Sequence, residues 1–287
     1  MKTIMQLAIA QNSESLQEAL LVYAKEGKRI ALVPTMGALH AGHATLIKHA
    51  ATLADVVAVS IFVNPTQFGP NEDFSRYPRM LEQDVKTAQE AGASVIYAPS
   101  VEDLYPEGFS TKITAGPLST QLCGQFRPGH FDGVATVVTK LLLRSLPHVA
   151  VFGEKDYQQL CVIRRVVEDL DIPVEIIGAP TVREPDGLAL SSRNAYLTKD
   201  EREIAPIIYK TLTDTANKLI SGKQAAQEIL AASIAGLNAS GFKVDYLEMR
   251  DGESCAPMEH YTAPARLLVA AWLGKTRLID NIAMGVE

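Results

Sequence analysis

The chain has 287 residues, 47% of them hydrophobic, enough for one large core or two ordinary domains. Its net charge is −6, and dispersed Lys and Arg residues form no basic stripe, so nucleic acid is not an expected partner. Met1 to Ala10 carries too interrupted an apolar run for a secretory signal, and the longest apolar stretch, Leu267 to Leu273, falls far below the roughly 20 residues of a membrane span, so a soluble cytoplasmic protein is expected.

Short β-rich runs alternate with amphipathic helical runs through the first half. The pattern predicts strands over Ile30 to Pro34, Val56 to Val63, Ser94 to Ala98, Val149 to Phe152 and Val174 to Ile177. Helices are predicted over Ser13 to Lys25, His43 to Ala54, Met80 to Ala91, Asp132 to Leu146 and Tyr157 to Leu170. This alternation implies an α/β fold, a doubly wound, Rossmann-like parallel sheet, in which ligands bind beyond the carboxyl ends of the strands. After Pro180 the pattern changes. A capping box at Thr198 to Glu201 opens a helix toward Ile220, a second helix runs from Gln224 to Leu237, and strands follow over Val244 to Met249, Leu267 to Trp272 and Arg277 to Ala283. The division expected is therefore 1–182 as a ligand-binding domain and 183–287 as a smaller α+β domain. Cys123, Cys161 and Cys255 lie outside any metal-ligand spacing and read as core thiols.

The stretch Pro34-Thr-Met36-Gly37-Ala38-Leu39-His40-Ala41-Gly42-His43 passes from a strand through a glycine turn into a helix. Its two histidines share one helix face at i, i+3. A helix N-terminus offers unspent N–H groups and a partial positive charge to phosphate, so the motif suits ATP. Helix-end hydrogen bonding and metal binding are the competing readings, although no Cys or His cluster lies nearby to complete a zinc set. Asn64-Pro-Thr-Gln67 follows the second strand, and its amides can bond hydroxyl and carboxylate oxygens of a hydroxy acid without adding charge; an ordinary Asn-Pro turn reads the same way. Gly153-Glu154-Lys155-Asp156 follows the fourth predicted strand, and Lys155 can meet a phosphate as a mobile point charge or merely open a helix. Gln159 lies one turn further on. Leu190-Ser191-Ser192-Arg193 offers hydroxyls and a planar guanidinium, or else a solvated linker. Phe126-Arg127-Pro-Gly-His-Phe-Asp-Gly133 is a glycine-punctuated loop from which Arg127 can reach substrate or simply hold structure. No G-x-G-x-x-G follows the first predicted strand, no G-x-x-x-x-G-K-[ST] is present, and no nucleophile elbow accompanies these residues.

These five motifs, in this order, resemble those of the pantothenate synthetase family, pantoate–β-alanine ligases of vitamin B5 and coenzyme A biosynthesis within the nucleotidylyltransferase-like superfamily. The resemblance implies condensation of (R)-pantoate with β-alanine through a pantoyl adenylate, with release of AMP and pyrophosphate. It implies ATP with Mg2+, a homodimer, and a C-terminal domain closing over ATP. By that likeness Met36 to His43, Gly153 to Asp156, Val182 and Leu190 to Arg193 line ATP. Gln67 and Gln159 hold pantoate, Gln67 also nearing β-alanine, and Asp84 lies close to the metal or the amine. His40, His43, Lys155 and Arg193 then neutralise charge on the phosphates. A nucleotidylyltransferase that stops at adenylation would share the histidine motif, but the neutral amides Asn64, Gln67 and Gln159 suit a hydroxy acid better than a phosphoester.

Overall fold

The computed structural model describes residues 7–70 and 72–285; the stretch Met1 to Gln6 of the N-terminal run read above lies outside them. The chain forms two compact units, Met1–Glu154 with Val162–Pro180, and Lys155–Cys161 with Thr181–Glu287. A single cut in the sequence does not reproduce this division, because the short stretch after the fifth strand packs with the C-terminal residues.

The first unit is built from β1 (Ala8–Ala10), α1 (Ser13–Lys25), β2 (Ile30–Thr35), α2 (Ala41–Leu53), β3 (Val56–Ile61), α3 (Leu81–Ala91), β4 (Val95–Tyr97), two short helices α4 (Val101–Leu104) and α5 (Cys123–Phe126), α6 (His130–Ser145), β5 (Val149–Gly153) and β6 (Glu175–Ala179). Helix α7 (Tyr157–Asp169) joins β5 to β6. The six strands are parallel, in the order β1-β4-β3-β2-β5-β6. Of these six strands the edge strand β1, three residues long, escaped the sequence reading, as did the short helices α4 and α5. Strand side chains alternate between the two faces. Ala31, Val33, Val57, Val59, Ile96, Val149 and Val151 share a core with Ile47 and Ala50 of α2 and Ala88 and Ala91 of α3. Leu32, Ala58, Val95 and Ala150, of opposite parity, are equally buried on the other face, where α6 packs on β2. Burial on both faces explains why these strands read as continuous apolar runs.

The strand order reverses between β2 and β5, and a proline helps to open the sheet there. Even-numbered residues of β2 bond toward β5, as Ile30 shows by accepting from His148 N–H at 2.9 Å. Pro34 has the same parity and no N–H to give, and the β2–β5 pairing stops at Leu32. Beyond it the segments leaving β2 and β5 are released from each other at a topological switch point, the place where open α/β sheets bind ligands.

The second unit continues with α8 (Lys199–Ile204), α9 (Ile207–Ser221), α10 (Ala226–Ala239), β7 (Phe242–Asp251), β8 (Ala265–Leu273) and β9 (Thr276–Met284). Thr198 and Glu201 make the expected capping box, but Pro206 divides the predicted long helix in two. The strands form an antiparallel sheet in the order β7-β8-β9. One core joins Leu247, Met249, Leu267, Val269 and Leu278 to Ile208, Leu212 and Leu219 of α9 and Ile229 and Leu237 of α10. All three cysteines are buried, and the Cys255 thiol is held above its ordinary range by a hydrogen bond with Cys161 and by burial. Among the described residues no helix is long and apolar enough to cross a membrane.

Candidate functional site

At the carboxyl end of β2 the chain turns through Met36 to Leu39, with Gly37 at φ 80° and Ala38 at φ 51°. Asp84, in the first turn of α3, closes this turn from below. Its two carboxylate oxygens accept the N–H groups of Ala38 at 3.0 Å and Leu39 at 2.7 Å, and it is only 1% exposed. A Cβ on residue 37 would lie 2.9 Å from Asp84 Oδ2, so a glycine is required both for the left-handed backbone and for the close approach. Asp84, expected beside a metal or amine, accepts a backbone N–H on each oxygen and so clamps the turn.

Helix α2 begins with the two histidines. His40 is the N-cap, its Nδ1 accepting from Gly42 N–H at 3.1 Å, while His43 Nδ1 accepts from His40 N–H at 3.3 Å. This is the reciprocal logic of a Ser/Glu capping box carried out by imidazoles. Since each Nδ1 accepts, each neutral ring carries its proton on Nε2. The rings lie 4.2 Å apart, tilted by 43°, and both are half-buried. Part of the expected N–H supply is consequently used internally, at Ala38, Leu39 and Gly42. In exchange, the helix end acquires two oriented imidazoles, and its first turn contains no acidic residue to cancel the dipole.

The amides after β3 are directed by backbone groups. Asn64, 1% exposed, donates through Nδ2 to Gly133 O at 3.2 Å and to Gln67 Oε1 at 3.0 Å; its Oδ1 accepts from Thr66 N–H, Thr66 Oγ1 and the Tyr105 hydroxyl. A carbonyl can only accept and an N–H can only donate, so Gly133 and Thr66 fix which way Asn64 points. Gln67 must then turn Oε1 toward Asn64, and its Nε2 donates to Met36 Sδ at 3.0 Å. Sulfur is a weak acceptor, one that a carboxylate or hydroxyl oxygen outcompetes. Asn64, expected to touch a ligand, has protein partners on both sides of its amide and orients Gln67. Burial pushes the Tyr105 hydroxyl above its ordinary range, so it remains a donor at neutral pH.

Helix α6 comes very close to this turn. A Cβ on Gly133 would sit 2.4 Å from Thr66 O, so only glycine lets the helix reach Asn64. His130, 8% exposed, lies 2.8 Å through Nδ1 from Gln67 O and 2.9 Å through Nε2 from Arg127 Nη1. The guanidinium must donate and the carbonyl must accept, so His130 is the neutral Nδ1–H tautomer. Arg127, expected to reach substrate, forms a fork with Glu72 at 2.8 and 2.5 Å and braces His130. His130 and Gly133 were missed as supports, although both stand in the loop singled out for Arg127.

Gly153 ends β5 half-buried, and Glu154 completes the residues of this unit that the sequence singled out. The rest stand on the second unit. Lys155 is half-buried and 4.0 Å from Asp156, and its backbone carbonyl accepts from Asn281 Nδ2 at 2.9 Å. Gln159 follows on α7, half-buried, beside Tyr157, whose hydroxyl donates to Gly252 O and whose ring lies 3.7 Å beneath the Arg266 guanidinium. Residues 182–194 are a packed hairpin. Leu190 N–H donates to Val182 O at 2.9 Å, Arg183 bridges Ala189, and Leu188 and Ala189 are buried. Ser191 caps the turn carrying Ser192 and Arg193 by accepting Arg193 N–H at 3.3 Å, and Arg193 is half-buried. Among the described residues no group of three His, Cys, Asp or Glu side chains could hold a metal ion.

A family profile described as pantoate-beta-alanine ligase matches residues 8–283. A pantothenate synthetase of Paramagnetospirillum magneticum is 56% identical over 97% of this chain and 98% of its own length, and one of Rhodospirillum rubrum is 54% identical over 97% and 99%. A crystal structure of pantothenate synthetase from Thermus thermophilus superposes with a TM-score of 0.89 at 46% identity, covering 96% of this chain and 98% of that one. The pantoate-beta-alanine ligase of Francisella tularensis, whose crystal structure is described as complexed with beta-gamma ATP and beta-alanine, superposes with a TM-score of 0.81 at 38% identity over 98% and 99%.

Proposed function

The chain belongs to the pantoate-beta-alanine ligase family, and from that membership we propose that it condenses (R)-pantoate with β-alanine at the expense of ATP, through a pantoyl adenylate. The observation that carries the reading is the pairing, at one edge of the parallel sheet, of two Nε2-protonated histidines on a helix N-terminus with an amide donor, Gln67 Nε2, held by Met36 of the same turn. An anion and a hydroxy acid are what these two features accept.

In the first step the pantoate carboxylate attacks the α-phosphorus of ATP and pyrophosphate leaves. In the second the β-alanine amine attacks the acyl carbon, loses a proton and expels AMP. The protein's part is positioning and charge stabilisation. Met36, Gly37, Ala38, Leu39, His40, Ala41, Gly42 and His43 form the ATP side of the first unit, with Gly153 and Glu154. Lys155, Asp156, Val182, Leu190, Ser191, Ser192 and Arg193 form that of the second. His40, His43, Lys155 and Arg193 donate to phosphate oxygens as charge develops. Gln67 and Gln159 hold pantoate, with Asn64 and Arg127 supporting Gln67 from behind. Magnesium, when bound with ATP, would supply screening of the phosphate charge. The protein works in the cytoplasm as a homodimer.

The test omits β-alanine. Enzyme with magnesium, ATP, pantoate and labelled pyrophosphate should return label to ATP only when pantoate is present, and rapid quench should show about one pyrophosphate released per active site. Absence of both overturns the reading.

A further inference from the structure

The turn carrying Lys155 leaves the parallel sheet, yet a strand 126 positions later holds it: Asn281, on β9 and 3% exposed, donates its Nδ2 to the Lys155 carbonyl at 2.9 Å. The preceding residue, Asp280, also 3% exposed, binds the Arg183 guanidinium as a fork at 2.7 and 2.9 Å. Arg183 then donates to Gly187 O at 3.0 Å and to Asn281 O at 3.2 Å, and stacks 3.8 Å over the Tyr209 ring. Two adjacent residues of β9 thus grip the Lys155 turn with a side-chain amide and the Val182–Leu190 hairpin through Arg183. Neither is near the sequence motifs.

We propose that Asn281 is a positioning residue for ATP activation, setting the place from which Lys155 reaches the phosphates, while Asp280 fixes the neighbouring hairpin through Arg183. The assignment rests on the ATP-ligase reading of Lys155 given above. An ammonium on a flexible stem acts as a point charge, so its effect depends on where its backbone is held. An amide suits this task because it supplies a donor to a carbonyl without bringing a second charge to a buried place.

The experiment is a double-mutant cycle on the full-length enzyme, read by the rate of pantoate-dependent pyrophosphate exchange and the KM for ATP. Asn281→Ala should raise the KM for ATP or slow exchange by about tenfold, the equivalent of one lost buried hydrogen bond. In a Lys155→Ala background the same substitution should change the exchange rate less than about twofold, because the group it positions is gone. A purely structural role predicts the same loss in both backgrounds and overturns the proposal, as does an unchanged single variant. Asn281→Leu, of nearly the same shape and without a donor, carries the same expectation should the alanine variant fold poorly. Exchange absent from the wild-type enzyme overturns the ligase reading and this assignment together; exchange present with additive variants overturns this assignment alone.

Discussion

The turns after β2 and after β5 look alike in sequence, each a buried parallel strand followed by glycine and then a polar helix start, but they are held in different ways. After β2, His40 and His43 cap their own helix through partners two and three residues away. After β5, the Lys155 carbonyl depends on Asn281, and Tyr157 on Gly252 and Arg266. The start of α2 can form as the helix forms, because its cap is local, while Ala38 and Leu39 just before it wait on Asp84. The turn after β5 takes its place only once β9 and the β7–β8 connection are in register. Local hydrogen bonding leaves a readable motif, whereas long-range anchoring leaves ordinary-looking residues far away.

The comparison is broken most directly at His43. Alanine there should reduce single-turnover adenylation about two to three orders of magnitude, the usual cost of deleting a preorganised donor to a charged transition state. ATP binding measured by calorimetry should change much less, and a folded variant with wild-type pyrophosphate release would show that the histidine pair serves only as a cap.

Asp84 tests how far the β2 turn is self-sufficient. Asp84→Ala leaves the buried N–H groups of Ala38 and Leu39 without their acceptor and should cost about 2–4 kcal/mol of stability in urea unfolding. Asp84→Asn, which keeps the shape and one acceptor, should cost about half of that. Equal losses would mean that volume rather than hydrogen bonding fixes the turn.

Gly133 marks a place where the first unit, like the second, is held at long range, in that a distant helix must arrive before Asn64 can be oriented. Gly133→Ala brings a Cβ to 2.4 Å from Thr66 O and should destabilise by about 1–3 kcal/mol as an overpacked contact. Its kinetic mark should be a raised KM for pantoate with the KM for ATP preserved. A parallel rise in both constants would indicate that the whole sheet edge had shifted.

The smallest effect belongs to Tyr105→Phe, which removes one of several donors to Asn64 Oδ1. About 1 kcal/mol is at stake, or a several-fold rise in the pantoate KM with kcat nearly unchanged. No change in that KM would assign the orientation of Gln67 to the backbone groups of Thr66 and Gly133 alone.

Local order determined a large share of this protein. The apolar runs of β2, β3 and β5 declare buried parallel strands, Thr198 and Glu201 declare a capping box, and the five motifs declare the family without any coordinates. The strand and capping signals are each complete within about ten residues, the range over which periodicity and capping act, and the family likeness needs only the order of five such short motifs. Tertiary structure decided what needs two distant segments to meet. It set the strand order that puts the switch point between β2 and β5, with Pro34 ending their ladder. It gave Asn64, Arg127 and Asp84 supporting roles that the sequence did not show, because buried polar groups must find partners and the available partners came from α6, Glu72 and the β2 turn. It also moved Lys155 and Gln159 out of the parallel-sheet unit that their position in the chain suggested. A side chain's chemistry is written in its residue type; whether that chemistry faces a ligand or the protein depends on which hydrogen-bonding groups folding brings within about 3 Å of it.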